Sequence, residues 1–181
     1  MSRAAMLSTF ALLLAAAIAA LLLVAALRPG TFRVARTALV QAPPERVHGL
    51  INDLHQFNTW NLYNRKDPLM RGEYRGPEAG PGAEFHFEGN KDVGRGNISI
   101  LATEPTKVTM QLHMLAPFEG RNRVEFHLQP QGAATEVTWA MQGASPFIAR
   151  IAGLFLDMDR MIGRDFEAGL SNLKQRAEKP A

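Results

Sequence analysis

Three aspartates stand among apolar residues in the stretch FLDMDRMIGRDFEAGL, residues 155–170, and closely spaced carboxylates can bind a metal ion or transfer protons. On a regular helix, at about 100° per residue, Asp157 and Asp159 point roughly 200° apart and cannot chelate one ion. Asp165 differs because it lies about 45° from the centre of the apolar face. A carboxylate in that place needs a partner, since burying an unpaired charge is costly. Two interpretations stay open for Asp165: a structural ion pair or hydrogen bond, and a polar group pointing into a ligand cavity.

Further residues of chemical interest lie in the stretch WNLYNRKDPLM, residues 60–70. The rings of Trp60 and Tyr63 need burial, either as packing at a helix-to-sheet corner or at the mouth of a cavity. The five histidines lack zinc-binding spacing, and the absence of cysteine excludes disulfides, zinc–thiolate sites and thiol nucleophiles. We therefore expect no metal and no cofactor, and the candidate acid or base residues are Asp165 and Tyr63.

The elements that must position these residues are indicated by hydrophobic periodicity. Residues 31–42 alternate as a strand, and residues 43–61 change to helical spacing. A short edge strand near 70–74 and five alternating segments between 82 and 143 indicate an antiparallel sheet with one solvated face. A long amphipathic helix then runs from about Pro146 to Ala177, with Ser145 as its N-cap. This order predicts an α+β fold with six to seven strands, two short helices after the first strand and one long C-terminal helix.

A register can be proposed if the last strands are joined as hairpins with their apolar faces together. Met110 would then lie beside Phe126, and Phe126 beside Trp139. The neighbouring row would contain Leu112, Val124 and Met141.

Methionine is concentrated on the two surfaces that face each other across the sheet and the C-terminal helix. Met110, Met114 and Met141 fall on the inner sheet face, and Met158 and Met161 fall on or beside the helix stripe. Methionine adapts to irregular space and recurs on apolar binding surfaces, so this convergence predicts a hydrophobic pocket, with ordinary core packing as the alternative. The predicted lining consists of Trp60, Tyr63, Phe85, Phe87, Met110, Leu112, Met114, Phe126, Trp139, Met141, Met158, Met161 and Asp165.

The N-terminal segment is long and apolar. Ala4 to Leu27 contains no charged residue and spans about 36 Å as a helix, enough to cross a hydrocarbon core of about 30 Å. We expect a membrane anchor within residues 1–30, one domain at 31–177 and a short tail at 178–181. A cleaved signal peptide with a small-residue site at 24–26 is the alternative, although its apolar run exceeds the usual ~7–15 residues.

The distribution of charge bears on orientation and on partners. Arg28, Arg33 and Arg36 follow the apolar segment, whereas Arg3 precedes it, and the positive-inside tendency then favours a cytoplasmic domain. The short N-terminus favours the opposite orientation, so a periplasmic domain stays open. From residue 31 onward, 18 basic residues face 17 acidic ones, which gives no electrostatic basis for binding nucleic acid.

Five stretches of the sequence resemble the START-like or Bet v 1-like superfamily: APPERVHGLINDLHQFNTWN, DPLM, YRGPEAGPGAEFHFEGN, VGRGNISI and LDMDRMIGRDFEAGLSNLK. The chain is similar to its SRPBCC members, the polyketide cyclase/dehydrase and lipid-transport proteins, and to a bacterial subgroup with an N-terminal membrane segment. The resemblance covers residues 31–177. It implies a helix-grip fold, in which a curved antiparallel sheet wraps around a long C-terminal helix and encloses a mostly apolar cavity.

Three functions follow as hypotheses. Members of the family bind lipids, sterols, polyketides, plant hormones or quinones, which implies a membrane-anchored domain that holds a hydrophobic small molecule or lipid. Some members cyclise or dehydrate polyketides, and an enzyme of that kind would use Asp165 or Tyr63 as acid or base. The third hypothesis is an accessory domain with a collapsed cavity that binds a partner protein. The sequence names neither the ligand nor an oligomeric state.

Overall fold

The structure, a computed structural model, describes residues 3–179. Its helices are α1 (Arg3–Leu27), α2 (Pro44–Asn52), α3 (Leu54–Trp60), α4 (Tyr63–Lys66), α5 (Phe147–Ala152) and α6 (Met158–Ala177). Its strands are β1 (Thr31–Val40), β2 (Arg71–Arg75), β3 (Glu84–Glu88), β4 (Arg95–Glu104), β5 (Lys107–Ala116), β6 (Gly120–Gln131) and β7 (Ala134–Ala144). The first two residues of the predicted anchor segment and the last two of the predicted tail lie outside the described residues.

The seven strands form one antiparallel sheet in the order β1-β7-β6-β5-β4-β3-β2. Side chains alternate along each strand, so the buried apolar positions collect on one face of the sheet. That inner face packs against α2, α3 and α6, and together they form the hydrophobic core. The prediction of an α+β helix-grip fold with short helices after the first strand is therefore confirmed.

The predicted register is correct for one strand pair and wrong for the next. Phe126 pairs with Trp139 as expected, and Val124 pairs with Met141. In the β5–β6 pair, however, Met110 lies opposite Val124, two residues away from the predicted partner Phe126. A slip of two residues keeps every side chain on the same face, so the apolar pattern that fixed the face could not detect it.

The predicted single helix from Pro146 to Ala177 is also wrong, because the segment is broken into α5 and α6. Gly153 ends α5, and Asp157 leaves the helical backbone to become the N-cap of α6. The predicted cap Ser145 does not cap α5; its backbone N–H donates to the Gly30 carbonyl at 2.8 Å, and Pro146 occupies the N-cap position.

The N-terminal helix is connected to the domain at one end of the sheet. Only residues 28–30 separate α1 from β1, so α1 lies where β1 begins and where its partner β7 ends. We call this the α1 end; the α4–β2, β3–β4 and β5–β6 connections lie there too, because the strands are antiparallel. Helix α6 finishes at the far end, where Lys174 Nζ donates to the carbonyl of Leu39 at 2.9 Å.

Candidate functional site

Four of the predicted lining residues lie in a closely packed aromatic region. Trp60, Met110, Phe126 and Trp139 are at most 4 % exposed. The Trp60 ring lies edge-on to Trp139 and Phe126, with centroids 5.8 and 6.0 Å away, and its Nε1 donates to the carbonyl of Leu50 at 2.8 Å. All four residues belong to the hydrophobic core, and their role in lining a cavity stays a prediction. Two further lining residues, Phe85 and Met141, are also buried.

One polar atom in this region lacks a partner. Trp139 stacks on Phe166 of α6 with centroids 4.1 Å apart, yet its indole Nε1 has no hydrogen-bond partner among residues 3–179. A buried donor left unpaired costs about 1–3 kcal/mol. The inner face therefore retains an unused N–H donor close to α6.

Towards the α1 end the inner side of the sheet is only partly covered. Half-buried apolar side chains of β3 and β5 lie there. Helix α6 has apolar residues spaced three and four positions apart in its first turns, and this spacing places them on one side of the helix. Met158 and Met161 are 44 % and 55 % exposed, more than a packed core permits. Phe87, Leu112 and Ile162 are partly buried and also pack against the core. We give one name, the open apolar surface, to these incompletely buried apolar side chains of the sheet and of α6: Phe87, Leu112, Met114, Met158, Met161 and Ile162.

A polar cluster borders the open apolar surface. Asp165 lies one turn after Met161 and accepts a hydrogen bond from Lys66 Nζ at 2.7 Å. The Tyr63 hydroxyl also hydrogen-bonds Asp165, and Lys66 Nζ lies 4.7 Å from the centre of the Tyr63 ring. Burial, followed by the charge of Asp165 and this hydrogen bond, raises the pKa of Tyr63 well above its ordinary value. At neutral pH the phenol therefore stays protonated, and Asp165 has the ion pair that its position in the helix requires.

The other two aspartates of the stretch have separate structural roles. Asp157 caps α6 by accepting from the backbone N–H of Arg160 at 2.9 Å. Asp159 accepts from Arg36 of β1 at 2.9 Å, and this guanidinium, which also bonds Glu167, holds the pKa of the Asp159 carboxyl below its usual range. Within residues 3–179 no three histidine, aspartate or glutamate side chains converge in a way that could hold a metal ion.

The predicted lining residues border neither of two concavities on the described surface. The first, about 370 Å³, lies at the α1 end between the β3–β4 connection and the end of β5. The second, about 760 Å³, lies across β1 and β4–β7 and includes long side chains of the outer sheet face such as Arg33, Gln111 and Arg123.

Residues 31–178 match the model of a protein family described as polyketide cyclase / dehydrase and lipid transport. The chain belongs to this family. No curated protein matches its sequence.

Solved structures share the fold of this polyketide cyclase and lipid-transport domain. Protein CV1439 from Chromobacterium violaceum aligns with a TM-score of 0.59 and 16 % identity over 84 % of this chain and 100 % of that one. The di-domain ARO/CYC BexL from the BE-7585A biosynthetic pathway aligns with a TM-score of 0.59 and 15 % identity over 87 % and 53 %. Ara h 8.0201 aligns with a TM-score of 0.55 and 9 % identity over 82 % and 98 %. At these identities the similarity shows the fold alone.

Lys66 belongs to the polar cluster, but it was not predicted from the sequence as a site residue. It lies in α4, a single helical turn between the predicted helical segment at 43–61 and the predicted edge strand near 70–74. A signal was present, because Asp165 on an apolar stripe requires a cation and the stretch YNRKD carries two beside Tyr63. Sequence spacing alone does not show that residues 99 positions apart meet.

Proposed function

We propose that this chain is a membrane-anchored domain that binds a hydrophobic small molecule or lipid between the sheet and α6. The open apolar surface carries the proposal, because it leaves apolar side chains accessible at the α1 end while the rest of the inner face is packed. A ligand lying on this surface would gain roughly 25 cal/mol for each Å² of apolar area removed from water. The family description, which includes lipid transport, is consistent with such a ligand.

The membrane part of the proposal is supported by α1. Met6–Leu27 is a helix of 22 residues that is long and apolar enough to cross a membrane. Its last turn is used by the domain, since Ala25 is fully buried and the carbonyl of Ala26 accepts from Arg150. Cleavage of a signal peptide at residues 24–26 would remove these contacts, which favours a retained anchor.

Two polar features can orient a bound molecule. The Tyr63–Lys66–Asp165 cluster lies at the edge of the open apolar surface, and the unpartnered Trp139 N–H lies deeper on the inner face. A few polar groups in an otherwise apolar site commonly fix the orientation of a ligand. We therefore expect an amphipathic ligand with an oxygen acceptor.

The proposal can be tested by narrowing the open apolar surface. The full chain and the double variant Met114→Trp/Met161→Trp are purified in the same detergent, extracted with organic solvent and compared by mass spectrometry. We expect an apolar species at about one molecule per wild-type chain and a reduction of about tenfold in the variant, since indole rings would occupy the ligand's place. Leu101→Trp, at an exposed position of β4, is the matched control and should retain the species.

Identical extracts from the wild type and the double variant would contradict the binding proposal, because lipid that merely surrounds α1 would be the same in both. That result would favour the accessory domain with a collapsed cavity. A circular dichroism spectrum of each variant would show that the fold is retained.

A second candidate, a polyketide cyclase/dehydratase-like enzyme, is favoured by the polar cluster itself. Tyr63 is a half-buried, protonated phenol beside a carboxylate and an ammonium, and these are types of group that acid–base catalysis uses. Asp165→Asn separates the two functions. A binding domain would contain the wild-type species in equal or smaller amount, since Asp165 would only orient it, whereas an enzyme would accumulate its unreacted precursor. Asp159→Asn, outside the polar cluster, should leave the extract unchanged.

A further inference from the structure

The most exposed large apolar side chains outside α1 are concentrated at one end of the molecule. Among the described residues these are Leu69, Phe118, Ile148 and Phe155, which are between 72 % and 89 % exposed. Leu39, Tyr74 and Leu101, away from that end, are only 39–49 % exposed. Exposed apolar groups that collect in one region of a soluble surface mark an interaction site, whereas scattered ones do not.

Sheet topology places these four side chains at the α1 end. Leu69 lies in the connection that leads into β2, where the side chain of Asp67 accepts from the backbone N–H of Asn90 in the β3–β4 connection at 2.7 Å. Phe118 lies in the β5–β6 connection. Ile148 is in α5, directly after β7, and Phe155 and the half-exposed Leu156 lie between α5 and α6. We call these five residues the apolar rim: Leu69, Phe118, Ile148, Phe155 and Leu156.

The same end is fixed to the C-terminal turn of α1. Arg150 Nη1 donates to the carbonyls of Ala26 and Arg28 at 3.2 and 3.3 Å, and Arg28 Nη1 donates to the carbonyl of Gly153 at 2.6 Å. These bonds satisfy carbonyl groups that a helix end leaves free, and they hold α5 against the helix. Because the link to β1 is only residues 28–30, a membrane crossed by α1 would meet the domain at the apolar rim.

We propose that the apolar rim inserts into the lipid bilayer surface around α1, so that the open apolar surface faces the bilayer. This inference rests on the proposed function, since it requires α1 to cross the membrane. Continuity with α1 selects the bilayer as the occupant of the rim. Side chains such as Phe and Leu at loop tips enter the boundary between headgroups and acyl chains, which is where a hydrophobic ligand would enter or leave the domain.

The absence of cysteine allows a direct test. Single variants Leu69→Cys, Phe118→Cys and Ile148→Cys of the full chain are labelled with a nitrobenzoxadiazole fluorophore and reconstituted into vesicles of phosphatidylcholine and phosphatidylglycerol. We expect quenching by phosphatidylcholine with a doxyl group near the headgroup to be about twofold or more above that of the controls. The matched controls are Leu39→Cys and Leu101→Cys, exposed apolar positions away from the rim.

Three outcomes would overturn the proposal, and they can be distinguished. If alkaline carbonate leaves the chain in the vesicles but the rim labels are quenched no more than the controls, α1 anchors the chain and the rim does not touch lipid. If carbonate releases the chain, the anchoring part of the proposed function fails together with the inference. Rim labels that are shielded from water without lipid quenching would indicate a protein occupant and would also overturn it.

Discussion

Single carboxylates have different roles on the two faces of the sheet. On the inner side, Asp165 is paired with one cation beside an accessible apolar surface. On the outer side, Glu125 accepts from Lys107 at 2.8 Å and from Arg123 at 3.0 Å, and its side chain is only 18 % exposed. These hydrogen bonds, with that of Lys107 the strongest, lower the pKa of Glu125 to about 2. The outer carboxylate therefore contributes to stability in a way that depends on pH.

Glu125→Gln should change the response of the domain to acid. Because the pKa of Glu125 is lower in the folded state, the ionised carboxylate stabilises the fold fully at pH values above its unfolded pKa of about 4.3. This contribution is lost as the pH falls towards 2, so the free energy of unfolding of the wild type should decrease by on the order of 2 kcal/mol between these pH values. The variant should be less stable at neutral pH and should lose correspondingly less on acidification. Unfolding followed by circular dichroism from about pH 6 to about pH 2 measures both.

Glu136→Gln on the outer face of β7 is the matched control for this prediction. It should retain the acid sensitivity of the wild type. Equal acid profiles for Glu125→Gln and the wild type would show that the Lys107 pair does not contribute to stability.

At the scale of elements, α6 can approach the sheet closely because it lacks a side chain at one contact. A Cβ added at Gly169 would lie 2.6 Å from Cζ3 of Trp139, well inside contact distance. The ring cannot move away easily, because Phe166 of the same helix stacks on it. The close packing of the sheet against α6 thus depends on Gly169, which has no side chain, facing the large ring of Trp139.

Gly169→Ala should lower the free energy of unfolding by about 1–3 kcal/mol, because overpacking against a fixed ring exceeds the gain in helix propensity. Gly49→Ala in α2 is the control, since an added Cβ there meets nothing within 4 Å. That change should be neutral or stabilising by up to about 1 kcal/mol. Denaturant unfolding of both variants decides the matter, and a Gly169→Ala chain as stable as Gly49→Ala would refute the tight contact.

The elements show what periodicity can and cannot predict. The alternation of apolar and polar residues correctly predicted the strands, their inner faces and the Phe126–Trp139 pair, because these features follow from a period of two residues. The β5–β6 register and the break between α5 and α6 were missed, because they depend on the length of a connection and on the backbone at Asp157. The same limit explains the site, since the pairing of Lys66 with Asp165 is created by tertiary structure.

For the molecule as a whole, the position of α1 relative to the domain depends on few contacts. Arg150 donates one hydrogen bond to Ala26 of α1 and one to Arg28 in the link that follows it, and its guanidinium lies 5.4 Å from the centre of the Phe147 ring. Its Nε is buried without a partner in the described structure. Arg150 is therefore the side chain whose removal should loosen the domain from the helix.

Arg150→Ala should broaden the distribution of distances between α1 and the sheet without unfolding either. Nitroxide labels on Leu23→Cys and Leu39→Cys, measured by pulsed electron paramagnetic resonance in vesicles, report that distribution. Arg121→Ala, at an exposed position where β6 begins, is the matched control and should leave the width unchanged. Equal widths in the two variants would show that the link at residues 28–30 alone fixes the geometry.

The strand order has a consequence for biosynthesis. The first strand, β1, pairs with the last, β7, so that Val40 meets Thr135 and Thr31 meets Ala144. At a translation rate of about 5–20 residues per second, β1 waits roughly 5–20 s for its partner while α1 is already made. Throughout that interval a ten-residue strand next to α1 has backbone groups without their partner strand. The growing chain must keep that edge from pairing with other nascent chains until residue 144 has emerged from the ribosome.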